Sequence, residues 1–302
     1  PLPPCTSSTR RADIGGLPPR VGIPIAPGDA ASWQLRDAVE TAVRGAVAPH
    51  AVARRQKIDR VRRALAAGAA LAAALGAVSE PGERGLRQQA ETMDVRDPRL
   101  EWLLSQAPRW RDAGEKTLVF VAHRETLEML RTALSHRAQL ASGVFHEDLP
   151  PARRDTAVAR FREPAGPSLL VSTECGGEGR NFEFCRRLVL FDLPWKPSVV
   201  EQRIGRLDRI GRRIPVEIVY FRPPHGIGRD VVRLFEALGL FRQRRERRDD
   251  DRRIGGEAER DHLARGPRGG VDQDDVGVGF QVAEPADQAL EPVVVQLGQF
   301  GH

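Results

Sequence analysis

Lysine is nearly absent from this chain of 302 residues, and one common kind of phosphate-binding loop is absent with it. The three lysines are Lys57, Lys116 and Lys196, and none of them follows a glycine. A P-loop that cradles nucleotide phosphates needs Gly-Lys followed by Ser or Thr. The dipeptide Asp-Glu, which often supplies a magnesium-binding carboxylate in ATP-driven motors, does not occur either. The chain therefore does not carry a complete nucleotide site of this kind.

Cysteine and long apolar runs are also scarce. Cys5, Cys175 and Cys185 form no Cys-x-x-Cys pair, so no metal site is expected, and their odd number favours a reducing cytoplasm. Residues 1–29 lack the apolar run of a signal peptide, and residues 64–78 are too few and too alanine-rich to span a bilayer. We expect a cytoplasmic protein without a membrane span.

Positive charge is present in excess. There are 47 Lys and Arg against 41 Asp and Glu, giving a formal net charge of +6 and a pI near 10.0. This balance favours an anionic partner such as nucleic acid. It is weak support by itself, because the preponderance of arginine over lysine partly reflects coding bias.

The most informative pattern lies at residues 202–211, Gln-Arg-Ile-Gly-Arg-Leu-Asp-Arg-Ile-Gly. On a helix, Gln202, Arg206 and Arg209 fall at i, i+4 and i+7 along one stripe. The apolar register of Val200, Ile204 and Leu207 predicts a buried opposite face, and Gly211 suits the end of the helix. Planar, permanently charged guanidinium groups on a rigid element suit the negative charge of a transferring phosphoryl group. Arg206 and Arg209 are therefore candidate arginine fingers, with a solvated basic helix as the alternative.

A glycine-rich loop precedes this helix, at residues 172–182, between two short apolar runs. Ser172 and Thr173 offer hydroxyl groups at the end of a strand, and the glycines at 176, 177 and 179 allow a phosphate to approach the backbone. Taken alone, such a loop is more often only a turn. A dinucleotide site is disfavoured, because the G-x-G-x-x-G pattern and a following acidic strand end are missing.

Strand-like and helix-like patterns alternate from residue 116 to residue 241, as in βαβ units of a parallel sheet. We predict strands at 116–122, 139–145, 169–171, 188–192 and 216–221, and helices at 124–136, 151–162, from about 198, and at 228–241. This is a doubly wound α/β fold. Its ligands lie at the carboxyl ends of the strands, where the glycine loop and the start of the arginine helix are expected.

Residues 172–182 resemble motif V of superfamily-two helicases, and residues 202–211 resemble motif VI, Q-x-x-G-R-x-x-R. Further support comes from Asp-Pro-Arg-Leu-Glu-Trp-Leu at 97–103, Val-Phe-His-Glu at 144–147 and Phe-Asp-Leu-Pro at 191–194. The stretch 97–241 is similar to the second RecA-like lobe of Swi/Snf-type ATPases, and most of all to their bacterial, RNA-polymerase-associated, RapA-like branch.

The resemblance implies roles for individual residues. Arg206 and Arg209 would be catalytic, and Gln202, Gly177, Glu178 and Gly179 would contact ATP. Ser172, Thr173 and Arg180 would contact the nucleic-acid backbone without sequence preference. The same resemblance leaves His146 and Glu147 outside the chemistry.

The family places the P-loop and the Asp-Glu motif in a first lobe, which would bind most of the ATP and Mg²⁺. The chain is thus expected to be inactive alone, with nucleic acid, RNA polymerase and the missing first lobe as partners and a nucleoid-associated location. The alternative is a non-catalytic module of the same fold that binds nucleic acid or polymerase.

Four regions are expected. Residues 1–36 are predicted to be disordered or non-native, residues 37–94 to form helices beside the lobe, residues 95–241 to form the lobe, and residues 242–302 to form a disordered charged tail. The loss of resemblance at both ends suggests a truncated or mis-framed gene product.

Overall fold

Four-residue strands that are buried at every position form the centre of one parallel sheet. The computed structural model describes residues 18–48, 50–76, 81–173, 181–209 and 211–241. Among these residues, six strands pair in the order β1-β6-β5-β2-β4-β3. They are β1 (Arg20–Ile25), β2 (Thr117–Phe120), β3 (Gly143–Phe145), β4 (Leu169–Ser172), β5 (Arg187–Leu190) and β6 (Val216–Phe221). The predicted doubly wound parallel sheet is confirmed.

Helices cover both faces of this sheet because successive strand side chains point to opposite sides. The lobe contains α5 (Pro98–Asp112), α6 (Arg124–Ala138), α7 (Pro151–Arg162), α8 (Pro197–Gly205) and α9 (Gly226–Ala237). One core joins Phe161 of α7, Ile204 of α8 and Phe235 of α9 to one face. A second core joins Leu103 of α5 and Leu130 of α6 to the other face. Helix α7 has the predicted bounds, whereas α9 begins and ends earlier than predicted.

Within the described residues, four further helices precede the lobe and pack together. They are α1 (Ala30–Gly45), α2 (Ala51–Ala66), α3 (Gly68–Leu75) and α4 (Pro81–Met93), followed by a 3₁₀ turn at Asp94–Arg96. Their shared core includes Val39, Leu71 and Met93, with Trp195 and Ile227 of the lobe packed against it. No helix in the described ranges is long and apolar enough to cross a membrane.

The prediction that residues 1–36 are disordered is wrong for the part that the structure describes. Strand β1 pairs with β6 from Arg20 opposite Val216 to Ile25 opposite Phe221, and α1 begins at Ala30. Gly22 and Pro24 are unfavourable in a typical strand and so did not indicate one in the sequence, yet both residues suit this edge position. An edge strand tolerates proline, and a Cβ at Gly22 would lie 2.9 Å from both Cβ and O of Phe241. Residues 1–17 and 242–302 lie outside the described residues.

A buried charged cluster fastens the N-terminal helices to the lobe. Asp97 is fully buried and accepts hydrogen bonds from Nη1 of Arg36 and Nη2 of Arg99, each at 2.7 Å. Both guanidinium groups also donate to the last carbonyls of α2, at residues 64–66. Arg99 donates in addition to the carbonyl of Phe191 at 3.2 Å, just after β5. One ionic network therefore connects α1, α2 and the carboxyl end of the sheet.

We expect Gly68→Ala to lower the free energy of unfolding by about 1–3 kcal/mol, because overpacking a close contact costs that much. A Cβ at Gly68 would lie 1.9 Å from the carbonyl oxygen of Ala90. The N–H groups of Gly68 and Ala69 also donate to Asp94 at 2.7 Å, which fixes the start of α3. Gly85→Ala in α4 is the matched control, because nothing lies within 4 Å and alanine favours helix by about 1 kcal/mol. Urea unfolding curves compare the two variants, and equal effects would contradict the close packing of α3 on α4.

Candidate functional site

The arginine-bearing helix is shorter than the sequence predicts. Helix α8 ends at Gly205, so Arg206 is its C-cap and Arg209 lies beyond it. The predicted stripe of Gln202, Arg206 and Arg209 along one helix is therefore wrong. The predicted buried register is confirmed, because Val200, Ile204 and Leu207 are fully buried.

Beyond Gly205 the backbone hydrogen bonds combine bonds within the segment with one from the glycine loop. The carbonyl of Arg206 accepts a hydrogen bond from the N–H of Phe182 at 3.0 Å, and Asp208 bonds through its own N–H to the carbonyl of Ile204. Gln202 and Arg209 are exposed and Arg206 is half-buried. We call residues 206–209 the arginine segment. Phe182 is the last residue of the glycine loop, so the end of that loop is bonded directly to the arginine segment.

The beginning of the glycine loop has a different environment. Ser172 and Thr173 are almost fully buried where β4 ends. The hydroxyl of Ser172 donates to the carbonyl of Thr173 at 2.9 Å, and the hydroxyl of Thr173 donates to Oε2 of Glu147 at 2.7 Å. Both hydroxyl groups therefore have partners within the lobe. Gly177, Glu178, Gly179 and Arg180 lie outside the described residues.

The predicted site residues do not all meet at one edge of the sheet. The start of α8 lies at the carboxyl edge, as expected, because it follows β5. The chain then returns along α8 to the amino edge, where β6 begins. Accordingly, Arg212 donates to the carbonyl of Cys185, just before β5, and Arg20, the first residue of β1, donates to Asp208. Arg206 and Arg209 thus lie towards the amino edge, while Ser172 and Thr173 lie at the carboxyl edge. Thr173 and Phe182, the described residues at the two ends of the glycine loop, thus lie towards opposite edges.

Two charged residues that the sequence analysis did not single out organise the carboxyl edge. Oδ2 of Asp192 accepts from the N–H of Ala122 at 2.9 Å, which ties the end of β5 to the end of β2. Nη1 of Arg203 donates to the carbonyl of Asp192 at 3.0 Å, and its guanidinium carbon lies 5.4 Å from the centre of the Phe120 ring. Arg203 lies in the buried register of α8, and a charge in an apolar register was the signal available in the sequence.

Glu147, which the sequence analysis left outside the chemistry together with His146, contacts the start of the glycine loop. Its carboxylate accepts the hydrogen bond of the Thr173 hydroxyl across the β3 and β4 ends. His146 is buried, with Nδ1 2.8 Å from Nη1 of Arg124. Burial, followed by the charge of Arg124, lowers the pKa of His146 below its ordinary value. These contacts give the pair a supporting role at the start of the loop.

The predicted site residues that the structure describes carry hydrogen-bond donors. Gln202 and Arg209 present an amide and a guanidinium group at the surface, with Arg206 half-buried between them. Within the described part of the chain, no group of three or more His, Cys, Asp or Glu residues could hold a metal ion. The arrangement can therefore offer hydrogen-bond donors and positive charge to an anion.

Comparison with known proteins gives the class of this lobe. Residues 98–211 match the family model described as the helicase conserved C-terminal domain. The fold is similar to the Sulfolobus solfataricus SWI2/SNF2 ATPase core domain, with a TM-score of 0.54, 16% identity, and coverage of 76% of this chain and 45% of that one. The same core in complex with dsDNA gives a TM-score of 0.52 at 16% identity, covering 77% and 47%. Residues 98–211 therefore resemble a helicase conserved C-terminal domain, and the lobe shares the fold of the SWI2/SNF2 ATPase core.

Within that class the sequence is close to the RNA polymerase-associated protein RapA. It is 44% identical over 150 residues to RapA of Pseudomonas aeruginosa (strain LESB58), covering 48% of this chain and 15% of that protein. It is 47% identical over 124 residues to RapA of Pectobacterium carotovorum subsp. carotovorum (strain PC1), covering 41% and 13%. The chain thus spans about a seventh of the length of these relatives.

Proposed function

We propose that this chain supplies the arginine half of a composite ATP site in a RapA-like, ATP-dependent nucleic-acid translocase. The observation that carries the proposal is the placement of Arg206 and Arg209. They follow the end of α8 within the domain matched as a helicase C-terminal domain, and Phe182 at the end of the glycine loop donates its N–H to the carbonyl of Arg206. Guanidinium groups aimed at a transferring phosphoryl group stabilise the charge that it develops.

The division of labour between lobes follows from the sequence. Because the chain has no Gly-Lys pair and no Asp-Glu dipeptide, the phosphates and Mg²⁺ would be held mainly by a first RecA-like lobe. ATP with Mg²⁺ supplies the phosphoryl group and the free energy. Gln202 and the glycines at 177 and 179, with Glu178, would contact the nucleotide from this side. Arg206 and Arg209 would orient towards the γ-phosphoryl group when the lobes close.

Nucleic acid is the proposed track, and contact would be made with its backbone. The hydroxyl groups of Ser172 and Thr173 already have partners within the lobe, so we assign the charged phosphate contact to Arg180. RNA polymerase is a proposed partner because the relatives are named as associated with it. Action on polymerase or other nucleic-acid complexes in the cytoplasm, at the nucleoid, is part of the same proposal.

The test is to measure ATP hydrolysis by the chain alone and mixed with a separately expressed RapA-type first lobe, with and without nucleic acid. We expect hydrolysis only in the mixture, stimulated by nucleic acid, because the arginine half-site has no nucleotide to act on by itself. Hydrolysis by the chain alone would contradict the half-site. An inactive mixture that still binds nucleic acid, with affinity falling as salt rises, would favour the non-catalytic module.

A further inference from the structure

The arginine segment has no helix to hold it, so something else must fix its position. Its backbone continues as turns, in which the N–H of Leu207 donates to Ile204 at 3.0 Å and that of Arg209 to Leu207 at 3.1 Å. We propose that Arg20 and Arg212 are positioning residues that hold the arginine segment where its arginines can act. The proposal rests on the proposed function, since it concerns the geometry of the same half-site.

Arg212 fastens the segment to the chain that enters β5. This residue is buried, and its guanidinium group donates to six backbone carbonyls. One is that of Leu207, in the arginine segment, at 3.4 Å. The others belong to Glu183, Cys185, Arg186, Ile214 and Pro215. A planar fork of N–H groups can serve several acceptors at once, which an ammonium group cannot match. Arg212 thus joins the arginine segment to the exit of the glycine loop.

Arg20 contacts the segment through a carboxylate, whereas Arg212 contacts it through a backbone carbonyl. Its Nε donates to Oδ2 of Asp208 at 2.7 Å, and its Nη1 donates to Oε2 of Glu201 at 2.9 Å. The side chain of Asp208 is only 1% exposed, so its carboxylate needs a charged partner to remain buried. Asp208 lies between Arg206 and Arg209 in the sequence, and Arg20 therefore fixes the middle of the segment. Arg20 belongs to β1, outside the matched domain at residues 98–211.

Such support matters because an arginine finger stabilises the transition state only when its guanidinium group is correctly placed beside the reacting group. A displacement of about 1 Å at a reacting centre can cost about 10²-fold in rate. If Arg20 or Arg212 is replaced by alanine, the segment keeps its short turns and the buried side chain of Leu207, but it loses contacts that orient it. The expected effect falls on the rate of the chemical step more than on the binding of nucleotide.

The first experiment is hydrogen exchange on the whole chain, which does not depend on ATP hydrolysis. In Arg20→Ala and Arg212→Ala, we expect the amides of Leu207, Asp208 and Arg209 to exchange about tenfold faster, with those of β2 and β4 unchanged. Arg213→Ala is the matched control, because Arg213 is exposed and adjacent to Arg212. Exchange at wild-type rates, or uniformly faster exchange through the whole sheet, would overturn the positioning role.

The second experiment measures kcat and KM for ATP in the mixture with a RapA-type first lobe. We expect Arg20→Ala and Arg212→Ala to lower kcat about 10- to 100-fold with little change in KM. Arg20→Lys keeps the charge and is expected to restore most of the rate. Arg212→Lys keeps the charge but loses carbonyl contacts, and is expected to restore little.

Failure of this inference can be separated from failure of the proposed function. If Arg206→Ala and Arg209→Ala abolish hydrolysis while Arg20→Ala and Arg212→Ala keep wild-type kcat, the positioning role is wrong and the proposed function stands. If Arg206→Ala and Arg209→Ala leave hydrolysis unchanged, the proposed function is wrong. Hydrogen exchange then still decides whether Arg20 and Arg212 hold the segment.

Discussion

Replacing either Arg206 or Arg209 by alanine is expected to lower nucleic-acid-stimulated ATP hydrolysis by the mixed lobes by about 10³-fold or more. An arginine finger contributes roughly 10³ to 10⁵ in rate, provided that the nucleotide is already bound opposite it. The two residues differ in setting, since Arg206 is half-buried at the end of α8 and Arg209 is exposed. Because the effect is on the transition state, kcat should fall while nucleotide binding changes little. The measurement is steady-state hydrolysis at saturating nucleic acid.

Two sets of control variants distinguish an arginine finger from a general effect of charge. Arg213→Ala removes the same charge from the same surface and should leave the rate within about twofold, as expected for a solvated charge. Arg206→Lys and Arg209→Lys keep the charge but lose the planar fork, so they should recover only a small part of the rate. Rates near wild type in both alanine variants would exclude these residues as fingers, and equal losses in Arg213→Ala would indicate a general charge effect.

Replacing Asp97 by alanine is expected to lower the free energy of unfolding by about 3–5 kcal/mol, which is the cost of leaving a buried charge without its partner. Asp97 is fully buried and serves both Arg36 and Arg99. Without it, the two guanidinium groups lose their closest counter-charge, and Asp94 remains at 3.9 Å from Nη1 of Arg36. Urea unfolding measures the loss. Asp230→Ala, which removes an exposed carboxylate beside Arg229, is the control and should change the free energy by less than about 0.5 kcal/mol.

The same carboxylate predicts a pH dependence. Burial alone would raise the pKa of Asp97, but the charges of Arg36 and Arg99, with their hydrogen bonds, outweigh it and hold this pKa at about 2. The pKa in the unfolded chain is about 3.9. The stabilisation is therefore complete above about pH 5 and is lost as the pH falls from about 4 towards 2, with a size of about 2–3 kcal/mol. Asp97→Asn should remove this part of the acid sensitivity, and an unchanged acid profile in that variant would contradict the ionised buried carboxylate.

The sequence was sufficient where hydrophobic periodicity was strong and local. Helix α7 and strand β6 have the predicted bounds, because Val158 and Phe161 of α7 face the core at helical spacing and β6 is a short, almost continuous apolar run. The buried face of Val200, Ile204 and Leu207 was found in the same way. These features depend on which residues of an element are apolar, and the sequence shows this directly.

Features that depend on distant partners could not be predicted. Strand β1 was missed because Gly22 and Pro24 suit a strand only at an edge beside Phe241, and the sequence does not show that neighbour. The end of α8 was missed as well, and the hydrogen bond from the N–H of Phe182 to the carbonyl of Arg206 just beyond it involves a residue that is distant in sequence. The link between Glu147 and Thr173 likewise joins two loops that only the sheet brings together.

The pairing of β1 with β6 sets the order in which this lobe can be completed during synthesis. Strand β1 begins at Arg20 and its partner begins at Val216, so β1 leaves the ribosome about 200 residues before β6 exists. At synthesis rates of roughly 5–20 residues per second, the interval is on the order of 10–40 seconds. During that time the edge strand has no ladder to join, and Arg20 has no Asp208 beside it. The arginine segment therefore cannot reach its final position until nearly the whole lobe has been synthesised.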